Sequence, residues 1–352
     1  MNHKQLIFAR EYRGFTQTQL AKHIEGLSQS NLSKFEKGVS LLSDDIIDKI
    51  ISFLNFPVEF FDQRISIVCE DADYRKKASV TKTQKSELDY SNKLIGYLVD
   101  QMANSIEWPE FKLKAMDLEE GYSPQYVAKY IRKLLKLKMD EPVRDIYHLL
   151  ETQGIIIVEL DAIDKFDGVS FLTDDGYPII VTNKSFSNDR KRFTLAHELG
   201  HIIMHKAGGF PIPEFRNRED EANLFASEFL MPEDAIKNSL RGLKLSYLSE
   251  LKRYWLTSMA SLIRRSKDLG VLSKDKYTYL NIELSRKGYR KKEPIDVYID
   301  NSSLFRSGYL LHINELEYSD MELAKAFNLP LDVIEKFCNN SKSFNSRLKV
   351  VK

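Results

Sequence analysis

Apolar residues in the first 66 positions recur at helical spacing in short runs, which predicts short helices separated by tight turns. In FTQTQLAKHIEGLSQSNLSKFEKG, Phe15, Leu20, Ala21 and Ile24 mark one buried face. A turn follows around Gly26, and a second helix runs from about Gln29 to Lys37. Leu32 and Phe35 point inward there, while Gln29, Ser30, Asn31, Ser33 and Lys34 point out. Thr16 and Gln19 have capping-box spacing. Residues 67–140 are more polar. The charged stretch DADYRKKASVTKTQK leads into a helix from about Glu87 to Met102. The segment YVAKYIRKLLKLKM then sets Val127, Ile131, Leu134, Leu135 and Met139 near a helical period, with its lysines on a solvated face.

From residue 142 the pattern turns to compact α+β. Pro142 opens a helix over VRDIYHLLETQ, and Gly154 ends it before the apolar strand IIIVEL. The strands GVSFL and YPIIVTN follow, separated by the turn TDDG. Next come the helix RFTLAHELGHIIMH, a Gly-Pro loop, and the helix REDEANLFASEFL, stopped by Pro232. Further helices are expected at 246–255 and 257–268, and the last seventy residues alternate short apolar and charged patches.

Composition narrows the class. A chain of 352 residues has room for two or three domains, and 43% hydrophobic with 29% charged residues describes a folded globular protein. No segment approaches the ~18 apolar residues of a membrane span, and no opening run reads as a signal peptide. The only two cysteines, Cys69 and Cys338, argue against a disulfide scaffold or a cysteine-rich metal site and suit a reducing cytoplasm. The net charge of +1 decides nothing about nucleic acid.

The chemistry concentrates in HELGH. His197 and His201, four residues apart on a helix, face the same way, and Glu198 sits one step around. This is the HExxH pattern of zinc peptidases, in which two histidines ligate and the glutamate is the general base. A catalytic zinc needs a third ligand, and the acidic helix that follows offers Glu219, Asp220, Glu221 and Glu228. Glu219 and Asn223 share a face, so Glu219 is the expected ligand while Asn223 steadies His201 or its neighbours; Glu221 lies about 200° round the helix from Glu219. His205 is expected as a supporting or surface histidine, not a fourth ligand. A purely structural pair of histidines is the bland alternative. Three ionisable groups inside the apolar run FTLAHELGHIIM would be costly to bury without a metal, which weighs against it.

The N-terminal pattern, two short helices with a polar second one, fits a helix-turn-helix that reads DNA. Gln29, Ser30, Asn31 and Lys34 are the candidate base readers, and Gln17 a backbone contact. Residues 1–66 hold eight Lys/Arg and eight Asp/Glu, a weak grip on phosphate that dimerisation would offset. A protein-docking module is the competing reading.

Both segments also resemble known families. QLIFAREYRGFTQTQLAKHIEGLSQSNLSKFEKG with LNFPVEFF resembles an XRE-type, lambda-repressor-like helix-turn-helix, its turn IEGLSQ a residue longer than usual. Residues 123–287, above all RFTLAHELGHIIMH and EANLFASEFLMP, resemble the ImmA/IrrE metallo-endopeptidases. The resemblance implies Zn2+ held by His197, His201 and Glu219, with Glu198 catalytic. It implies cleavage of a partner regulator, a helix-turn-helix repressor, by glutamate-assisted attack of zinc-bound water, in stress-response or mobile-element control. The alternative is a transcriptional regulator or antitoxin-like protein whose zinc domain is a sensor or scaffold. The expected fold is multidomain: an all-α helix-turn-helix domain (1–66), a helical linker (67–122), an α+β zincin-like metallopeptidase domain (123–287) and a mainly helical C-terminal region (288–352). The expected partners are a double-stranded DNA operator, a protein substrate and a second copy of the chain, with no membrane.

Overall fold

The computed structural model describes residues 2–63, 65, 81–162 and 166–338, and the backbone of 349–350; the side chains of 82 and 83 are excepted. Cys69 and most of DADYRKKASVTKTQK lie outside the described residues. The chain forms two compact units: Met1–Trp108 with Leu172–Tyr177 and Leu304–Lys352, and Pro109–Phe171 with Pro178–Ser303.

The first unit begins with α1 (His3–Tyr12), α2 (Gln17–His23), α3 (Gln29–Glu36) and α4 (Asp44–Leu54). The Thr16 and Gln19 side chains cap each other's backbone N–H groups, which starts α2 where the sequence places it. Gly26, at φ 85°, takes the left-handed turn between α2 and α3. Leu20, Ile24, Leu32 and Phe35 are buried; Phe15 and Ala21 are half-buried. The long α5 (Lys82–Ala103) starts earlier than Glu87, because Thr81 and Gln84 form a second capping box. A two-residue strand, β1 (Ile106–Glu107), follows it.

In the second unit Ser123 caps α6 (Pro124–Leu134), which buries Val127, Ala128 and Ile131. The helix stops at Leu135, with Lys136 at φ 55°, so Leu134 is 45% exposed and Met139 falls outside the helix. The lysines of this segment do lie outward, Lys133, Lys136 and Lys138 exposed and Lys129 half-buried. Arg132 is fully buried, donating to the carbonyls of Phe229 (2.7 Å), Glu141 (2.8 Å) and Lys138, and burial draws its guanidinium down to about 10. α7 (Ile146–Glu151) begins later than Pro142, because the Asp300 carboxylate accepts from the N–H groups of Tyr147 (3.1 Å) and His148 (2.7 Å). Gly154 turns the chain at φ 84°, where a Cβ would lie 2.4 Å from the Glu110 carbonyl oxygen.

β2 (Ile156–Leu160), β3 (Gly168–Leu172) and β4 (Pro178–Asn183) form a sheet in the order β2-β4-β3, with β2 parallel to β4 from Ile156↔Ile179 onward. α8 (Asn188–His201) packs on β4 and runs into a π-helical turn over Ile202–Lys206. α9 (Arg218–Leu230) lies against both α8 and α6. Ile180, Leu195, Leu199, Phe225, Phe229 and Trp255 are among the shared core. α10 (Glu233–Ile236), α11 (Leu245–Trp255), α12 (Met259–Asp268) and α13 (Lys274–Arg286) complete the unit.

The chain then returns to the first unit as α14 (Leu304–Asn314), α15 (Asp320–Ala326) and α16 (Leu331–Phe337). Tyr97 donates to the Phe327 carbonyl at 3.0 Å, and Arg13 to Asp332 Oδ1 at 2.9 Å. Backbone pairing closes with β5 (Lys349–Val350), antiparallel to β1. The architecture is thus a helical N-terminal module, an α+β region with a small sheet, and a mainly helical C-terminus. Among the described residues no helix is long and apolar enough to cross a membrane.

Candidate functional site

One turn of α8 separates His197 from His201, and the helix repeat aligns their rings. The helix can approach α9 closely because residue 200 is glycine: a Cβ there would sit 3.0 Å from the Phe225 ring. Glu219, in the first turn of α9, is thereby brought to both histidines. Its Oε1 lies 2.8 Å from His201 Nε2 and its Oε2 3.4 Å from His197 Nε2, while the two Nε2 atoms are 3.0 Å apart. Among the described residues these three form the group whose donor atoms could hold a metal ion, all within 4.8 Å of one another.

The opposite ring nitrogens explain why those atoms suit a cation. Asn223 Oδ1 lies 3.1 Å from His197 Nδ1, and an amide oxygen only accepts, so Nδ1 carries the proton. His201 Nδ1 meets His205 Nδ1 at 3.0 Å, and His205 Nε2 meets Glu221 Oε2 at 2.8 Å. A proton on one Nε2 can serve only one of the crowded contacts between the rings and Glu219; a divalent cation serves all of them. Burial is the largest influence on all three histidines and lowers each. In His197 the Glu219 and Glu198 carboxylates outweigh it and the ring stays above its ordinary value. In His201 burial prevails, and it pushes His205 down to about 4, with His201 adding to the effect.

Glu198 is buried, and Ser170 donates to its Oε2 at 2.7 Å. Lys206, from the π-helical turn, donates to the Ser170 carbonyl and reaches its Oγ at 3.2 Å. Gly168, two residues before Ser170, makes room for this: a Cβ there would lie 2.6 Å from Thr194 Cγ2 and 2.9 Å from the Val181 carbonyl oxygen. Sequence reasoning missed Ser170 and Lys206. The available signal was a match of two periods, small residues at 168 and 170 on one strand face against Thr194 and Glu198 one helical turn apart.

The other carboxylates of α9 turn elsewhere. Asp220 is exposed and accepts from the Asn217 side chain at 2.6 Å. Glu221 accepts from Arg216 Nε and NH2, both at 2.8 Å, and is held below the usual carboxylate range: burial opposes this, but Arg216 and His205 prevail. Glu228 is 1% exposed and paired with the buried Arg265. His205 is buried, not at the surface.

In the first unit, Gln29, Ser30, Asn31 and Lys34 are exposed on α3. Gln17 is half-buried. It accepts from Gln29 Nε2 at 2.9 Å and donates to Glu36 Oε2 at 2.6 Å, and Glu36 in turn is gripped by Arg10 Nε at 2.6 Å and NH2 at 3.0 Å. The start of α3 is therefore braced against α2 and α1.

Comparison with known proteins agrees with this division. No curated protein matches the chain. Residues 6–61 match the family model described as helix-turn-helix, and residues 150–267 match that of a peptidase family described as IrrE N-terminal-like domain. Together the two matches support a DNA-binding regulator that carries an IrrE-like domain of a metallopeptidase family.

Proposed function

We propose that the protein is a regulatory zinc endopeptidase, delivered by its helix-turn-helix domain (1–66) to DNA, where its peptidase domain (123–287) cleaves a helix-turn-helix repressor. Residues 67–122 would link the two, and 288–352 would serve as an accessory region. The observation that carries this reading is the convergence of His197 Nε2, His201 Nε2 and Glu219 beside the buried Glu198. These three residues would hold the metal. Zinc, when bound, would lower the pKa of water and polarise the scissile carbonyl.

The protein's own part is orientation and proton transfer. Ser170, itself held by Lys206, fixes one edge of the Glu198 carboxylate, and its Oε1 is assigned the proton of the attacking water and its return to the leaving amine. His205 spends both ring nitrogens on His201 and Glu221, which favours three protein donors and an open position over a closed structural site. On the DNA side, Gln29, Ser30, Asn31 and Lys34 would read bases, with Gln17 holding Gln29 in register.

The test uses the full chain with one equivalent of zinc and helix-turn-helix repressor proteins as substrates. Glu198→Gln should keep the metal and operator binding and lose cleavage. Cleavage by that variant at the wild-type rate would refute the role of Glu198. Gln29→Ala should lose operator preference while retaining salt-sensitive binding to any duplex.

A further inference from the structure

We propose that residues 286–292, at the end of α13, form a second DNA-contact surface: a sequence-independent grip on the phosphates of duplex DNA, carried by the second unit. Five of these seven residues, Arg286, Lys287, Arg290, Lys291 and Lys292, are cationic and none is acidic, in a chain whose net charge is only +1. All five are exposed. Arg286 meets Glu283 at 2.8 Å yet its side chain is 72% exposed, and Arg290 donates to the neutral Asn281 Oδ1 at 2.6 Å. Among the described residues no carboxylate pairs with Lys287, Lys291 or Lys292.

The cations sit on a backbone held at both ends. At the close of α13 the Tyr289 N–H donates to the Leu284 carbonyl at 2.9 Å and the Gly288 N–H to that of Ser285 at 3.0 Å, with Gly288 at φ 74°. The Lys291 N–H then donates to the Gly288 carbonyl at 3.0 Å. Leu284 is buried, and Tyr289 packs against the core. Just beyond the run, the Glu293 carboxylate accepts from Lys252 at 2.6 Å and from the Met259 N–H at 3.0 Å. The negative end of the α13 dipole accounts for Arg286 and Lys287, but its pull fades within the last turn and gives no reason for Arg290, Lys291 and Lys292. Three consecutive cations lie within a Debye length of about 8–10 Å and repel one another, which an anionic partner relieves. Duplex DNA is the partner that the chain itself argues for. Residues 6–61 match a helix-turn-helix, yet residues 1–66 balance eight basic against eight acidic residues. Base contacts give specificity, whereas affinity comes chiefly from cations on the phosphates, and 286–292 supply what the first domain lacks.

This assignment rests on the DNA role proposed above. The experiment is an anisotropy titration of the full chain against a labelled duplex of arbitrary sequence over a range of salt. The triple variant Lys287→Ala, Lys291→Ala, Lys292→Ala should lower the slope of log affinity against log salt by about 2–3 and weaken binding about 100-fold at about 0.1 M salt. Arginine at the same three positions should keep the wild-type slope. Removing three exposed lysines elsewhere in the unit, with Lys133→Ala, Lys136→Ala and Lys184→Ala, should change the slope by less than about one. A wild-type slope in the first triple variant overturns the proposal. So does an equal loss in the second, which would reflect bulk charge, or a loss seen only on phosphatidylserine vesicles. Absence of duplex binding by wild type at low salt overturns it together with the DNA role. If the first variant loses its slope while Gln29→Ala keeps full operator preference, the surface at 286–292 stands and base reading by α3 falls.

Discussion

Removing the Glu228 carboxylate should loosen α9 far more than its distance from Glu219 suggests. Glu228 is 1% exposed and Arg265 2%, so neither charge has water to fall back on. Glu228 Oε2 accepts from Arg265 NH2, its Oε1 accepts from the Glu233 N–H at 3.1 Å, and Lys129 stands 3.8 Å away. Glu228→Leu leaves a buried guanidinium whose remaining bond is Nε to the Met231 carbonyl, at 3.1 Å. Breaking such a pair from one side costs about 3–5 kcal/mol, and the orphaned Glu233 N–H adds about 1 kcal/mol. The chain has two compact units, so a single global unfolding free energy is the wrong measure. Hydrogen exchange of α9 and α12 amides reads the local opening directly, and it should speed up by roughly a thousand- to twenty-thousand-fold. The double variant Glu228→Met, Arg265→Met, which removes both charges, should recover most of that loss. Acceleration below about fivefold in Glu228→Leu would show that the ion pair is solvated or dispensable, and the argument from burial would fail.

Two further outcomes follow from packing and charge. Lys252 is 2% exposed between Asp189 Oδ2 and Glu293 Oε2, each at 2.6 Å. Burial opposes ionisation of Asp189, but the Lys252 contacts and neighbouring hydrogen bonds hold it below its ordinary 3.8. A depressed carboxylate contributes stability above its unfolded value that is lost as pH falls through the folded one. The deficit of Lys252→Met in urea melts should therefore be greatest near neutrality and shrink below about pH 4; a deficit unchanged down to pH 3 would contradict the pairing. Gly168→Ala should destabilise the second unit by about 1–3 kcal/mol, since its Cβ meets Thr194 Cγ2 and the Val181 carbonyl. Adding Thr194→Ser removes that methyl and should recover part of the loss in thermal melts.

What the sequence disclosed was local. The spacing of His197 and His201, the capping pair Thr16 and Gln19, the turn at Gly26 and the three strands all depend on residues within a few positions of one another, and periodicity reports such relations directly. What escaped depends on partners far along the chain. The start of α7 is set by Asp300, which no reading of Pro142 could supply. Nothing local marks Arg132 for burial, yet it is enclosed because three carbonyls converge on it. Leu134 and Met139 kept the helical period, but the helix ends at Leu135, and periodicity does not report termination without a glycine or proline to mark it.

The acidic helix α9 shows why composition alone could not sort the site. Glu219, Glu221 and Glu228 are one residue type on one helix, and their positions around it only narrow the choice. Their environments separate them: Glu219 faces two imidazoles, Glu221 an imidazole and a guanidinium, Glu228 a guanidinium in the core. Each cationic or hydrogen-bonding partner comes from a different element, so the roles are fixed only once α8, the 207–217 loop and α12 have packed around α9. Gly200 and Phe225 govern how near α8 comes, and Glu228 with Arg265 anchors the far end. A helix held at its C-terminal end by a buried ion pair can present its first turn to the histidines with little freedom to swing. The same division makes the site separable by mutation: loss at Glu228 should register as local opening, whereas loss at Glu219 should register as weakened metal uptake in a helix that stays closed.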